Sequence, residues 1–340
     1  MKGLKLVLVL LVALTAVAGI WLFLLSASNP HVQEPHEVSL RMPYAPASYW
    51  APFLLAEEKG YYAEEGLKVK LHPSQGSSAT VKSVASRSDE FGMASGSTIL
   101  IGKSQDMPLK SIGVIYQESA SMIIYSKKSG IESPKDLEGR IIGSNPQGAM
   151  YQELAAFAGA NNIDLAKTKI VPLTSIPLLV QALLSGEIDG YTSSWPKGNL
   201  VLGARGYHEF DTMLFSEHGF HTYDQTLFTS EGLLRDDPKL VGEFMRATLR
   251  GWKFSMQHPQ EAIDILLRNY PELASEDMLE EFVLRNELTE NEVTRQNGFG
   301  FMLGSRWEEM QEALLRFGTI DERIDVESLY TNEFLEEAKI

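Results

Sequence analysis

The sequence predicts an α/β fold built as two similar lobes, and two observations carry that expectation. From residue 38 the chain alternates short β-type runs with helical patterns, as packed strand–helix units do. A helix-to-strand turn at Ser86–Glu90 is then echoed at Ser185–Asp189. Each lies between a helix bearing Val, Leu or Ala and a strand running into serines. At 340 residues the chain can bury a sizeable core as one large domain or two modest ones.

The elements follow in order. Residues 38–42 alternate and read as a first strand. Residues 51–59 read as a helix ended by Gly60. Leu67, Val69 and Leu71 alternate with Lys68, Lys70 and His72, a half-buried strand. A short helix over 80–86 precedes a strand over 91–94, then Ser95-Gly96-Ser97 opens another helix. Residues 112–115 and 122–125 read as further strands. Ser133-Pro134-Lys135-Asp136 reads as a helix start, with Pro in the first turn and an acid at the capping-box position. A strand over 140–143, a helix over 151–160, a helix over 175–184 ended by Gly186 and a strand over 188–192 complete the second unit. From residue 236 the chain reads as mainly helical, punctuated at Asp237-Pro238, His258-Pro259 and Tyr270-Pro271.

Residues 1–28 read as a signal peptide or membrane anchor. Lys2 and Lys5 precede an apolar run over 6–25 broken only by Thr15 and Gly19, which holds the N-terminus inside while the rest crosses. The run suits a spanning helix, and Ser26, Ala27 and Ser28 suit a signal peptidase, so cleavage and retention both stay open. Residues 29–37, with Pro30 and Pro35, read as a linker. The body is therefore expected in the periplasm or on the extracellular face of the membrane.

Composition removes several functions. The net charge of −15, with no basic cluster, argues against a nucleic-acid partner. The absence of cysteine excludes thiol nucleophiles, iron–sulfur clusters, Cys-based zinc sites, disulfides and a lipid-modified Cys anchor. No Walker loop, dinucleotide fingerprint or Gly-x-Ser-x-Gly elbow occurs. His218 and His221 lack the following Glu and the helical setting of a zinc site. Neither metal nor cofactor is expected.

What remains is a set of turns after strands, where open α/β sheets bind ligands. Tyr44, Tyr49 and Trp50 follow the first strand, Ser95 and Ser97 the 91–94 strand, and Gln117 the 112–115 strand. Gln147 lies in Asn145-Pro146-Gln147-Gly148, and Tyr191 and Trp195 frame the turn after 188–192. Aromatic faces stack on a flat ring, and helix-opening N–H groups at Ser97 and Gln147 suit a polar or anionic group. Phe91 and Met93 read as core. Glu280, Glu281, Glu308 and Glu309 read as solvated helix faces, and no clustered Arg pocket is evident.

Several strings resemble a known family. They are Ala56-Glu57-Glu58-Lys59-Gly60-Tyr61-Tyr62 running into Glu64-Glu65-Gly66-Leu67-Lys68-Val69, and residues 86–92, where Arg87 and Glu90 replace the usual Gly and Asp. Ser129-Gly130-Ile131, residues 133–139 and 184–189, Trp307, Gly318, Ile320-Asp321 and residues 331–335 complete them. Over most of residues 38–335 the chain resembles extracytoplasmic solute-binding proteins of ABC importers for thiamine pyrimidine precursors, with relatives for alkanesulfonates, nitrate and riboflavin.

The resemblance implies a type II periplasmic-binding-protein fold with two crossover segments and a helical C-terminal portion. Lobe 1 would comprise 38–126 and 222–340, and lobe 2 would comprise 127–221, closing by a hinge on ligand contacts from both. It implies a subunit that captures a small heteroaromatic nutrient, a thiamine pyrimidine precursor or related ring, and delivers it to a permease with its ATPase subunits. The alternatives are an alkanesulfonate, nitrate or riboflavin carrier. The pyrimidine-binding branch uses a Tyr–Trp pair and a Glu in the second lobe, which adds Glu217 and, near the return crossover, Tyr223. The Asn and His that often follow the first aromatic there are absent, and Tyr44-Ala45-Pro46-Ala47-Ser48 stands instead. A fungal pyrimidine synthase of this fold consumes its own His and pyridoxal phosphate and carries a Cys-rich stretch. The cysteine-free chain with an export leader departs from it, so a non-enzyme is expected. A monomer is expected too, touching the membrane through its N-terminal segment if that stays uncleaved.

Overall fold

The computed structural model describes residues 35–204, 206–273 and 277–338. The leader and the linker as far as Glu34 lie outside the described residues. The strands are β1 His36–Arg41, β2 Leu67–His72, β3 Phe91–Ala94, β4 Leu109–Tyr116, β5 Ser121–Ser126, β6 Ile141–Ser144, β7 Lys169–Pro172, β8 Gly190–Ser194, β9 Phe210–Leu214 and β10 Asp224–Ser230. They form two five-stranded sheets, ordered β2-β1-β3-β10-β4 and β7-β6-β8-β5-β9.

The two sheets share one plan. In the first, β1 runs parallel to β3 and β10 runs antiparallel to β3 and β4. In the second, β6 runs parallel to β7 and β8, while β5 runs antiparallel to β8 and β9. The chain leaves the first sheet after Tyr116, reaches β5 through 117–120, and returns from β9 to β10 through 215–223. Two lobes and two crossovers follow directly.

This corrects the expected boundary at 126/127. The neighbouring buried runs 112–115 and 122–125 look like one lobe in sequence. In fact β5 is a central strand of the second sheet, with Ile123 opposite Thr192 on one side and Met213 on the other. Both faces of β5 are buried: Met122 and Ile124 join one core, Ile123 and Tyr125 another. The four residues 117–120 are the crossover itself, and the return strand starts at Asp224 rather than 222.

Helices fill the connections: α1 Ala51–Glu58, α2 Ser77–Ala85, α3 Gly96–Ser104, α4 Ala149–Ala160, α5 Ile176–Ser185, α6 Pro238–Gln257, α7 Pro259–Asn269, α8 Met278–Asn286 and α9 Gly304–Arg316. The caps anticipated from sequence act as such. Gly186 ends α5 in the left-handed region at φ +76°. Asp237 starts α6 by accepting from the Leu240 N–H at 3.0 Å, with Pro238 in the first turn. Residues Pro134–Leu137 form only a 3₁₀ turn, although Ser133 does donate its N–H to Asp136 Oδ2 at 2.8 Å.

The core of lobe 1 sits where α6 and α1 cover the first sheet, with Phe91 stacked on Phe244 at 3.8 Å and Phe53 edge-on to Trp252 at 5.9 Å. A second core joins residues of both sheets, including Val114 and Phe228 of the first and Ile123 and Ile142 of the second. There α4 presents Phe157, stacked on Phe215 at 4.1 Å, and the same cluster holds Trp307 of α9. The lobes are therefore packed together beside the crossovers.

Candidate functional site

Between the lobes, beyond the carboxyl ends of β3, β6 and β8, lies a cavity of about 540 Å³. Lobe 1 contributes Tyr44, Tyr49, Ser77, Ser95, Asp224, Gln225 and Arg285. Lobe 2 contributes Ser121, Asn145, Gln147, Met150, Ile176, Ser193, Ser194 and Lys197.

Local chemistry shapes the rim. Asn145 Oδ1 accepts the Gln147 N–H at 3.0 Å, and the Gly148 N–H bonds to Asn145 O at 2.9 Å, a turn that asparagine favours. A Cβ on Gly148 would stand 2.8 Å from the Tyr44 hydroxyl, so glycine lets the lobe 1 tyrosine reach the lobe 2 turn. Gly76, at φ +143°, lies so close that a Cβ would meet Gln147 O at 2.1 Å. Asn145 Nδ2 donates to Gln75 O at 3.3 Å across the same gap.

The inner wall is polar and bound across the cleft. Glu153 of α4 is fully buried and accepts from Ser95 Oγ at 2.9 Å, Ser97 Oγ at 2.5 Å and Ser121 Oγ at 2.6 Å. Burial pushes its carboxyl above the usual carboxylate range against the pull of those hydroxyls, and the Asp224 carboxylate pushes the same way. Burial also raises Asp224, while the Arg285 guanidinium and the N–H groups of Gln225 and Ala120 pull it down. Tyr44 and Tyr49 are raised by burial and stay neutral.

Arg285 is 4% exposed and reaches the cavity from α8. Its Nη2 donates to Ser194 Oγ of lobe 2, and its Nη1 lies 3.9 Å from Glu281 Oε1. The guanidinium sits over the Tyr116 ring, 5.5 Å from its centre, and Nε has no hydrogen-bond partner among the described residues. Glu281, expected as solvated surface, is 5% exposed and accepts from Ser48 Oγ at 2.9 Å. Met278, Glu281, Phe282 and Arg285 share the inward face of α8, so these charges face the protein interior. An arginine therefore does line the pocket.

Of the expected site residues, Tyr44, Tyr49, Ser95 and Gln147 line the cavity. The others stand elsewhere. Trp50 is core, edge-on to Tyr270 at 5.8 Å. The Ser97 hydroxyl is committed to Glu153 behind the wall. Gln117 braces the crossover by donating from Nε2 to Phe301 O at 3.1 Å. Tyr191 points into the lobe 2 core and Trp195 packs against that core. Glu217 is exposed in the Ser216–His218 turn. Tyr223 is buried against Trp307, its hydroxyl accepting the Leu303 N–H at 2.8 Å, and burial pushes it up to about 12.

Residues 47–262 match the family described as NMT1/THI5 like. The chain belongs to the NMT1/THI5-like family. The matched span takes in Tyr49, Ser95, Gln147 and Asp224 and ends before Arg285. Among relatives, the riboflavin-binding protein RibY of Chloroflexus aurantiacus is 28% identical over 319 residues, covering 91% of this chain and 89% of that one. A 4-amino-5-hydroxymethyl-2-methylpyrimidine phosphate synthase of Legionella pneumophila is 23% identical, covering 88% of this chain and 92% of that one. Among solved structures, the alkanesulfonate-binding protein SsuA of Xanthomonas axonopodis pv. citri, bound to MOPS, superposes with a TM-score of 0.69 at 13% identity, covering 88% of this chain and 99% of that one. That likeness speaks for the fold alone, the two-lobed periplasmic-binding-protein fold.

In this NMT1/THI5-like protein the residues that sequence reasoning passed over are chiefly Asp224 and Arg285. Asp224 opens a strand that the sequence reading did not include. Arg285 carried a usable signal, because an arginine seven residues after Met278 falls on the apolar stripe of its helix.

Proposed function

We propose that this chain captures a small heteroaromatic nutrient of the flavin or pyrimidine class between its lobes and delivers it to an ABC permease. It would do so in the periplasm or on the outer face of the membrane. The observation that carries the reading is the cavity of about 540 Å³ walled by both lobes, chiefly by strand-end turns and by residues of α2, α4, α5 and α8. Its size is typical of small-molecule pockets and exceeds what a single pyrimidine ring fills, which favours a fused ring such as a flavin. Tyr44 and Tyr49 supply flat apolar faces, and serines, amides and Arg285 supply hydrogen bonds at the edges. The length and identity shared with the riboflavin-binding relative point the same way.

The same reading makes the chain a carrier rather than a catalyst. No histidine is among the described residues lining the cavity. A pyridoxal absorbance band in the purified protein would overturn the carrier assignment.

Thermal unfolding against riboflavin, hydroxymethylpyrimidine, alkanesulfonates and nitrate tests the ligand class. A ligand at a hundred times its dissociation constant stabilises by roughly 2.7 kcal/mol, a readable shift. A shift with a ring compound alone supports the reading. A shift with sulfonate or nitrate alone refutes it.

A further inference from the structure

We infer that Arg285 and Asp224 together recognise a paired acceptor–donor edge on a neutral ring, the edge that a pyrimidinedione imide presents. The inference rests on the carrier reading above and adds the chemistry of the ligand's buried edge. Arg285 carries N–H donors in a planar fork. Its Nη2 donates to Ser194 Oγ, while Nη1 stands 3.9 Å from Glu281 Oε1, too far for a hydrogen bond, on a side chain that lines the cavity. A guanidinium N–H short of a hydrogen bond in a buried site is costly, and a ligand carbonyl at Nη1 would satisfy it. Asp224 lines the same cavity, and the electrostatic influence of Arg285 reaches it. Its Oδ1 accepts the Gln225 N–H at 2.8 Å, which fixes the carboxylate as an acceptor for a ring N–H.

The surrounding charges argue against an anionic ligand on Arg285. Asp224 and Glu281 both flank the guanidinium, so its positive charge is already offset where an anion would need it bare. A neutral ring that offers one carbonyl and one N–H side by side meets the arginine and the carboxylate without adding charge. A site built to hydrogen-bond an N–H rejects the analogue lacking it far more strongly than an apolar pocket rejects a methyl group.

Flavin-fluorescence quenching with the purified full chain tests this, using riboflavin and 3-methylriboflavin, whose methyl group replaces the imide hydrogen. The expected result is binding of riboflavin with at least tenfold weaker binding of the methylated ring. Asp224→Asn is expected to shrink that preference severalfold, and Asp224→Glu to keep part of it. Equal affinity of the native protein for both rings overturns the edge assignment and leaves the carrier reading standing. Failure of both rings to bind, with a shift from a sulfonate, overturns both. The comparison of two ligands on the native protein decides the matter even if the Asp224 variants do not fold.

Discussion

Replacing Glu153 by alanine removes the acceptor that three serine hydroxyls share, two from lobe 1 and one from lobe 2. At a net of about 0.5–1.5 kcal/mol for each hydrogen bond, the loss is about 1.5–4.5 kcal/mol. The side chain is fully buried, so its removal also leaves a void that costs more. Relief from burying a carboxyl offsets part of this. The serines are not stranded, since Ser95 and Ser97 lie 2.9 Å apart and Ser119 donates to Ser121 at 2.9 Å. The sum favours a destabilisation of about 2–4 kcal/mol, read by urea unfolding of the full chain. Glu153→Gln keeps the volume and one acceptor and should cost about 1 kcal/mol. The pH dependence has a definite sign. A carboxyl raised in the folded state binds its proton more tightly there than when unfolded, so it stabilises below the unfolded value and loses that contribution as pH rises through the folded one. The native chain should therefore lose stability relative to Glu153→Gln as pH climbs from 4.5 upward. An alanine variant within 0.5 kcal/mol of native, on the order of an inert surface change, would refute the view of Glu153 as a tie between the lobes.

Trp50→Ala should destabilise by about 3–5 kcal/mol, because the ring is core, and should leave ligand affinity of the folded protein unchanged; calorimetric unfolding and a binding titration read the two separately. Gly148→Ala places a methyl 2.8 Å from the Tyr44 hydroxyl, so it should cost roughly 1–3 kcal/mol by overpacking and weaken ligand capture, read by titration. Phe157→Ala should cost about 3–5 kcal/mol in urea unfolding, since its ring stacks on Phe215 in the core shared by both lobes.

The alternation of Val38 and Leu40, the glycine after α5 and the proline before α6 were readable because each is a local signal. What escaped was set by tertiary position. Strand β10 reads Asp-Gln-Thr-Leu-Phe-Thr-Ser, too polar to look buried, yet it lies centrally between β3 and β4. Its hydroxyls are used inside, with Thr229 donating to Glu90 O at 2.7 Å and Ser230 capping the next turn. Strand β5 was read as a strand but assigned to the wrong lobe, because sequence adjacency says nothing about which sheet a chain enters after a crossover. At the site, the turns after β1, β3 and β6 were found from the rule that ligands gather at strand ends. The aromatic residues nearest those turns were not all ligand-facing. Trp50 turns inward from its 3₁₀ turn and Trp195 leans on the lobe 2 core.

The near-touch of Gly76 with Gln147, and of Tyr44 with Gly148, has a bearing on selectivity. Where two lobes meet backbone to backbone, they can swing no further, whatever lies between them. The rim thus acts as the end-stop of a calliper, and the gap behind it is gauged by main chain rather than by the cargo. A ligand too small for that gap leaves it partly unfilled and gains little from closure. One too large keeps the jaws from seating, so that Asn145 cannot reach Gln75. Size selection of this kind needs no contact with the ligand at all. It could be reset by altering a glycine at the rim while every residue facing the ligand stays the same.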